Sequence, residues 1–384
     1  MQIALITDGI WPYVMGGMQK HSYYLCKYLA QNKVNIHLFH YNNSNFDINK
    51  LEFFSDEERK YIQSSIVDFP KSVYFPGNYL YNSYKHSRLI FEIIKPTLSN
   101  YDFIYTKGFT GWYLINQKKI KSISCPPIGV KFHGYEMFQP SPNFKTKLQN
   151  VFLLKGVVKS ISKNADYVFS YGGKISEIIK SLGVIPSKII ELPSAVELKI
   201  VSDNIQPTSE NIKFLFLGRY ERRKGIEELN LAIDLFFKLN PNSNCEFNFI
   251  GPIPNNKKIN HHKVIYHGTI IDSNTLFNLI KQNDVLICPS WSEGMPNVIL
   301  ESMANGLTSI ATDVGSTHLL VNSKTGWLIQ NVDANEIYKT ICLVLSTSAE
   351  EINQKKQSAL QLIKDNFVWE TLIKKLLQQL NDLK

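Results

Sequence analysis

Glu293 and Glu301 stand out because the eight-residue step between them contains Gly294 and Pro296. The segment follows the apolar run 285–288, a predicted strand, and Pro296 suits the first turn of a helix. Open α/β sheets bind ligands where a strand's carboxyl end leads into a helix, and the free amides there bind hydroxyls or phosphates. Both carboxylates are predicted to face this crevice as acceptors for paired sugar or ribose hydroxyls. The alternative is a helix start with two solvated glutamates.

A basic loop, Gly218-Arg219-Tyr220-Glu221-Arg222-Arg223-Lys224-Gly225, lies between a predicted strand and a predicted helix. Arg219 and Lys224 can converge on one anion there. Arginine supplies a planar fork of donors and lysine a point charge, a combination that suits a diphosphate. A solvated basic loop is the alternative, since most surface cations bind nothing specific.

Gly16-Gly17 and His133-Gly134 follow two other predicted strands. The glycine pair lets backbone approach a ligand closely, although a plain turn is the simpler interpretation. The GxGxxG spacing of dinucleotide binders is absent, which argues against a nicotinamide enzyme. His133 is predicted at the crevice edge, with a packed or solvated histidine as the alternative. No group of His, Cys and Asp has the spacing of a metal site, so no metal is expected.

The elements that would position these residues alternate between strand and helix, which indicates parallel sheets. Two such β/α halves are joined by a polar, proline-broken stretch at 193–210. The predicted divisions are an N-terminal domain at 1–197, a linker at 198–211, a C-terminal domain at 212–365 and a final helix at 366–384. Residues 42–100 are predicted to be irregular apart from a helix near 82–94, and 143–163 to be one helix interrupted at Gly156.

Composition narrows the classes of protein. The 384 residues are 44% hydrophobic and carry a net charge of +9, of which residues 1–200 hold +10 and residues 201–384 hold −1. Five scattered cysteines without a CxxC pair argue against a disulfide framework or a zinc site and favour a reducing, cytoplasmic compartment. No apolar run reaches the roughly 18 residues of a membrane span.

Together these motifs resemble the retaining glycosyltransferases of family 4. The strongest match is the E-x7-E motif within EGMPNVILE, followed by the GR…KG pair, the N-terminal glycine loop and the HG element. The resemblance covers nearly the whole chain. It implies the GT-B fold, in which two Rossmann-like domains face a cleft and a C-terminal helix, here after Trp369, returns to the N-terminal domain. The chain departs from the family pattern at Ser194-Ala195-Val196-Glu197 and at Val314-Gly315-Ser316-Thr317-His318.

The resemblance also implies roles. Glu301 would bind the donor's ribose, while Arg219 and Lys224 would hold its diphosphate, with Val298 nearby. The remaining expected contacts are with the donor sugar, namely Glu293, Gly294, Met295, Asn297 and, beside the anomeric carbon, His133. Gly16 and Gly17 would line the nucleotide-sugar site. The reaction would be metal-independent hexosyl or N-acetylhexosaminyl transfer in polysaccharide or glycoconjugate biosynthesis, with UDP the favoured carrier and a glycan or lipid-linked acceptor.

Two rival functions are separated by simple observations. A nucleotide-sugar epimerase of the same fold would not need an acceptor to release nucleotide diphosphate. A nucleic-acid binder would account for the pI of about 9.0, but the charge is spread over a domain and no RNA or DNA motif is present, so no nucleic-acid partner is expected.

The basic N-terminal half also raises the prospect of a peripheral membrane contact. Lys155, Lys159 and Lys163 lie four residues apart on one predicted helical stripe, and Lys118, Lys119 and Lys121 form a second cluster. A basic amphipathic helix is typical of proteins that lie on anionic membranes. The alternative is a domain helix whose lysines are merely solvated.

Overall fold

The computed structural model of this protein describes residues 1–14, 16–41, 53–71, 75, 77–120 and 123–383. Within those ranges the chain forms two parallel sheets, each flanked by helices, in the sequence order that the alternating pattern predicts. The predicted α/β fold with two Rossmann-like domains is confirmed. No helix in the described ranges is long and apolar enough to cross a membrane.

The first sheet has seven strands in the described part of the chain, in the order β3-β2-β1-β4-β5-β6-β7. Its strands are β1 (Gln2–Ile6), β2 (Asn35–His40), β3 (Ile62–Ile66), β4 (Phe103–Lys107), β5 (Ile128–Lys131), β6 (Tyr167–Ser170) and β7 (Ile189–Glu191). All neighbouring strands run parallel, and the order reverses between β1 and β4.

The second sheet repeats this plan with six strands among the described residues, in the order β10-β9-β8-β11-β12-β13. Its strands are β8 (Ile212–Leu217), β9 (Cys245–Ile250), β10 (Val264–Gly268), β11 (Val285–Cys288), β12 (Thr308–Thr312) and β13 (Gly326–Ile329). The order reverses between β8 and β11, so each sheet has one switch point where a crevice opens at the carboxyl ends of its strands.

Helices connect the strands. In the N-terminal half they are α1 (Gly17–Gln31), α2 (Asp56–Arg59), α3 (Asn78–Ile94), α4 (Trp112–Lys119), α5 (Phe144–Gln149), α6 (Lys155–Asn164) and α7 (Lys174–Ser181). In the C-terminal half they are α8 (Ile226–Leu239), α9 (Ser273–Lys281), α10 (Asn297–Ala304), α11 (Ala334–Ser346), α12 (Ala349–Asn366) and α13 (Trp369–Asp382).

Buried strands are easier to predict from the sequence than edge strands, because they form apolar runs. All four residues of β11 and all five of β12 are buried, because central parallel strands are covered on both faces. Strand β3 reads Ile-Gln-Ser-Ser-Ile and lies at a sheet edge, so it lacks such an apolar run. The prediction of irregular structure at 42–100 was therefore wrong at β3, at α2 and at residues 78–81, the first turn of α3. Residues 42–52, 72–74 and 76 lie outside the described ranges.

The helix predicted at 143–163 is instead three consecutive pieces. Helix α5 is followed by a π-helical turn, Asn150–Leu154, and then by α6. Gly156 lies inside α6 and does not interrupt it. The break in regularity comes from the π-helical turn, which inserts one extra residue per turn.

Helix α13 returns from the C-terminal half to the first sheet. Trp369 is 1% exposed and stacks on Tyr28 of α1 with ring centroids 5.8 Å apart. A parallel bridge pairs Val196 with Val368, so the two crossings of the chain between the halves run side by side. The core under α1 thus contains residues from both ends of the chain.

Candidate active site

Loops at the carboxyl ends of the two sheets meet in one region. Gly294, on the loop after β11, abuts the backbone of His133, on the loop after β5: a Cβ added at Gly294 would lie 1.9 Å from the His133 carbonyl oxygen. This approach leaves room only for glycine. The residues predicted on the two halves therefore face each other across the crevice.

Glu293 is the most strongly held of the predicted carboxylates. Its Oε1 accepts hydrogen bonds from Lys224 Nζ at 2.6 Å and from Ser290 Oγ at 2.9 Å, and Arg223 Nη1 lies 3.6 Å from Oε2. Burial alone would raise the pKa of Glu293, but Lys224 and Arg223 outweigh it and hold the pKa below its usual value. The carboxylate is therefore ionised at neutral pH.

Only some of the cationic side chains of the basic loop face Glu293. Arg219 points outward, with 66% of its side chain exposed and its guanidinium 2.8 Å from Glu221. Lys224 and Arg223 face Glu293 instead. Gly225 closes the loop with a left-handed φ of 66°, and an added Cβ would lie 1.8 Å from the Pro289 carbonyl oxygen. Glycine is thus required where the loop meets the end of β11.

Glu301 lies on α10 and binds a residue from the other half. Its Oε1 accepts a hydrogen bond from Lys20 Nζ on α1 at 2.6 Å, and its side chain is 12% exposed. The attraction of Glu301 raises the pKa of Lys20 above its usual value. Lys20 carries no motif signal by itself, although its place three residues after Gly17 puts it on the first turn of a helix that starts at the crevice.

The amino end of α10 contacts the glycine loop. A Cβ added at Gly17 would lie 3.4 Å from His133 Nε2 and 3.5 Å from Asn297 Nδ2. Gly16 is the residue that precedes α1. Asn297 Oδ1 accepts a hydrogen bond from Ser194 Oγ at 2.7 Å, one of the positions that departs from the family pattern. The glycine loop, His133 and Asn297 therefore meet at one point.

The rest of the Glu293–Glu301 segment is packed into the protein. Met295 is buried at 2% exposure, and Val298 is partly buried against the core. Gln139, which no motif indicated, ties this segment to the N-terminal half: its Nε2 donates to the carbonyl oxygens of Glu293 at 2.7 Å and Gly134 at 2.5 Å.

Buried charges lie beneath His133. Burial raises the pKa of Asp8 to about 6 and lowers that of Lys107 to about 7. Burial, followed by the charge of Lys107, lowers the pKa of His133 to about 3. His133 is therefore a neutral ring at physiological pH, able to donate or accept a hydrogen bond but not to act as a cation.

A cavity of about 280 Å³ opens beside His133 at the carboxyl edge of the first sheet. Five phenylalanine and tyrosine side chains line it, among them Tyr79, Phe109 and Phe132, while Asp8 and Glu136 add carboxylates. Its size, its aromatic faces and its few polar groups are typical of a small-molecule site. None of the residues lining it was singled out by the sequence motifs except His133.

Chemically, this arrangement offers carboxylates for hydroxyl groups, cations for an anion and a neutral histidine between them. Among the described residues no group of three or more His, Cys, Asp or Glu side chains could hold a metal ion. Glu293, Glu301 and Lys224 are predicted from the sequence, whereas Arg223, Lys20 and Gln139 are indicated only by their contacts.

Two glycosyltransferase family models match this chain. The family model described as Glycosyltransferase Family 4 matches residues 15–199, and the one described as Glycosyl transferases group 1 matches residues 211–347. Among solved structures, sucrose-phosphate synthase from Thermosynechococcus elongatus superposes with a TM-score of 0.76 at 19% identity and covers 100% of both chains. At that identity the similarity concerns the fold.

Two curated relatives match over most of their length. An uncharacterized 41.2 kDa protein in the cps region of Klebsiella pneumoniae is 26% identical over 72% of this chain and 75% of its own. A UDP-Gal:alpha-D-GlcNAc-diphosphoundecaprenol alpha-1,3-galactosyltransferase of Escherichia coli is 24% identical over 82% of this chain and 84% of its own.

Proposed function

Since this chain belongs to the family 4, group 1 glycosyltransferases, we propose that it moves a sugar from a nucleotide-diphosphate donor to a glycan or lipid-linked acceptor, without a metal ion and with retention of anomeric configuration. The observation that carries the proposal is the contact between Lys224, on the loop after β8, and Glu293, on the loop after β11. Their charged atoms lie 2.6 Å apart, and the second of these loops faces His133. The donor would span from Glu301 at its ribose to Glu293 at its sugar.

The charges suit such a donor. Lys224 is paired with Glu293, and Lys20 is paired with Glu301. A diphosphate would offer Lys224 a new anionic partner, and the sugar's hydroxyls would offer Glu293 new donors in its place. Negative charge grows on the leaving diphosphate as the glycosidic bond breaks, so fixed cations at that point stabilise the transition state more than the bound donor.

The carboxylates argue against a covalent intermediate on the proposed retaining route. A retaining glycosidase needs an acid and a nucleophile about 5–5.5 Å apart, both free to react. Here Glu293 is occupied by Lys224, Ser290 and Arg223, and Glu301 lies eight residues further on, inside α10, paired with Lys20. Attack of the acceptor from the face that the diphosphate leaves requires no protein nucleophile.

The cavity beside His133 is the proposed acceptor site. Its aromatic walls can stack on the apolar face of a sugar ring, and Asp8 and Glu136 can accept hydrogen bonds from hydroxyls. The relatives support a surface polysaccharide or lipid-linked oligosaccharide as the product, because one is a protein of a cps region and one acts on a diphosphoundecaprenol-linked sugar. The latter also favours UDP as the carrier.

The test is a panel of nucleotide sugars incubated with the protein in the presence and absence of lipid-linked and free glycan acceptors. Release of nucleotide diphosphate that depends on the acceptor, together with a product whose anomeric proton coupling matches the donor, would support the proposal. Conversion of the donor to another nucleotide sugar without an acceptor would favour an epimerase. Loss of activity in EDTA that Mg²⁺ or Mn²⁺ restores would contradict the metal-free mechanism.

A membrane contact through the N-terminal half is the second part of the proposal. The observation that favours it is a group of exposed apolar side chains on α5 and the π-helical turn: Phe144 is 72% exposed and Phe152 78% exposed. Leu154, at the end of the same turn, lines the cavity beside His133. A bilayer against this face would bring a lipid-linked acceptor to the cavity.

A further inference from the structure

Tyr171, the residue after β6, connects His133 to the loop that carries Glu293. It is 2% exposed, and its hydroxyl lies 2.8 Å from His133 Nδ1. The two rings cross at 83° with centroids 5.7 Å apart. The other side of the tyrosine meets Gly294, where an added Cβ would lie 2.7 Å from Tyr171 Cε2. No motif in the sequence indicated this residue.

The direction of the Tyr171–His133 hydrogen bond follows from what each group can do. Burial raises the pKa of Tyr171, so the phenol keeps its hydrogen and needs an acceptor. Among the described residues, His133 Nδ1 is the one hydrogen-bond partner of that hydroxyl. If Nδ1 carried the imidazole hydrogen, the phenol would be left without an acceptor in a buried place. Tyr171 therefore donates to Nδ1, and the single ring hydrogen of neutral His133 lies on Nε2.

Nε2 is the nitrogen that faces the crevice. It lies 3.4 Å from the position that a Cβ of Gly17 would occupy, beside the amino ends of α1 and α10. With its hydrogen on Nε2, the imidazole presents an N–H group in this direction. The opposite tautomer would present a lone pair there, which could only accept a hydrogen bond from a hydroxyl and could not donate one to its oxygen.

A second layer holds the tyrosine in place. Lys131 Nζ lies 3.9 Å from the centre of the Tyr171 ring and donates a hydrogen bond to the Leu192 carbonyl oxygen at 2.5 Å. The ring is therefore enclosed by Lys131 over its face and by Gly294 at its edge. Only its hydroxyl makes a polar contact that reaches the proposed site.

We propose that Tyr171 is a positioning residue that fixes His133 as the Nε2–H tautomer, so that His133 offers a hydrogen-bond donor to a hydroxyl oxygen of the donor sugar. The identity of that oxygen rests on the proposed function, whereas the tautomer does not. The hydrogen bond that one ring nitrogen makes commonly sets which histidine nitrogen carries the hydrogen, and here the partner is a phenol.

The first experiment measures the tautomer by ¹⁵N NMR of the donor-free protein, with the His133 signals assigned by their loss in H133Q. The expected wild-type pattern is a bare Nδ1 and a protonated Nε2 that do not change between pH 5 and pH 8. In Y171F the ring is kept but the donor is lost, and both tautomers should appear. A wild-type signal with hydrogen on Nδ1 would overturn the proposal even if the protein shows no transferase activity.

The second experiment is kinetic and uses a matched control. Y171F should lower kcat about tenfold and leave the KM of the donor within about twofold. A tenfold loss of rate corresponds to about one hydrogen bond, here the one that orients His133. Y105F removes another fully buried phenol, whose hydroxyl has no partner among the described residues, and should leave kcat unchanged. In an H133A background Y171F should cost nothing more. An equal cost of Y171F with and without His133 would show that Tyr171 acts only through packing.

Discussion

At the scale of single residues, the two glutamates have different partners and should have different roles. Glu301→Gln should weaken binding of free UDP about tenfold, because a charged acceptor for the ribose hydroxyls is lost. Glu293→Gln should leave UDP binding almost unchanged and lower turnover of the intact sugar donor. Titration calorimetry with UDP and steady-state kinetics with the donor separate the two effects. Equal losses of UDP affinity in both variants would refute the division.

Arg219 provides a test of the proposed diphosphate clamp. The Arg219 side chain is exposed and paired with Glu221. Arg219→Ala should nevertheless lower the transfer rate about 10²–10³-fold and weaken donor binding much less. Arg222→Ala is the matched control, since that guanidinium binds Glu228 and points away from the site. If the two alanine variants have the same kcat, Arg219 does not act on the leaving group.

What the sequence could predict at this scale depended on local spacing. Glu293, Glu301 and Lys224 lie in short motifs next to strand ends, so their place at the crevice follows from the order of elements. Lys20 and Tyr171 reach the same place through contacts between segments 281 and 38 residues apart, and no local pattern encodes these distances. The partner of an exposed cation such as Arg219 is equally unpredictable, because Glu221, Glu227 and Glu228 all lie near it in the sequence.

At the scale of elements, the apolar face that the sequence predicts along one helix at 143–163 is divided between α5, the π-helical turn and α6. Val158 and Ile161 are buried against the sheet, whereas Val151 is 43% exposed. The apolar stripe therefore covers the core over α6 and faces solvent over α5 and the π-helical turn. Lys159 and Lys163 are exposed on α6. Lys121 of the second basic cluster lies outside the described residues.

This division gives a prediction for membrane binding. Replacing Phe144 and Phe152 by serine should remove binding to vesicles of anionic lipid, and so should replacing Lys155, Lys159 and Lys163 by glutamate, at about 1 kcal/mol per lysine. Both variants should keep hydrolysis of the donor. Cosedimentation at low and high salt measures the effect, since surface charges are screened as salt rises.

The control for this experiment is Ile271→Ser, in the C-terminal half, where the side chain is 93% exposed. This variant should bind vesicles as the wild type does. Wild-type protein that stays in the supernatant at low salt would remove the membrane from the proposal and would favour an acceptor in solution.

At the scale of the whole molecule, the two halves are joined at the proposed donor site by Lys20–Glu301, Ser194–Asn297 and the Gln139 bridge. Lys20→Glu would set two carboxylates against each other, a repulsion of about 4 kcal/mol at 4 Å near a protein surface. The cleft should open, the radius of gyration measured by small-angle X-ray scattering should increase, and the KM of the donor should rise.

A charge exchange completes this test. Lys20→Glu combined with Glu301→Lys should restore the wild-type radius of gyration but not the donor affinity. Lys180→Glu, in an exposed ion pair within α7, should change neither quantity. A radius that is unchanged in Lys20→Glu would mean that this ion pair does not hold the halves together.

The return of α13 to the first sheet also affects the order in which the two halves can fold during synthesis. The ribosome completes residues 2–191, all of the first sheet, well before Trp369, Leu372 and Ile373 exist, yet these side chains fill the core under α1. One face of the second sheet is covered by a core within residues 212–352, and the other face packs against α12, which also precedes α13 in the chain. The half that is synthesised first is therefore the half that finishes folding last. Until α13 is made, the apolar face beside α1 stays uncovered, and it is the surface of the nascent chain where we expect a chaperone to bind.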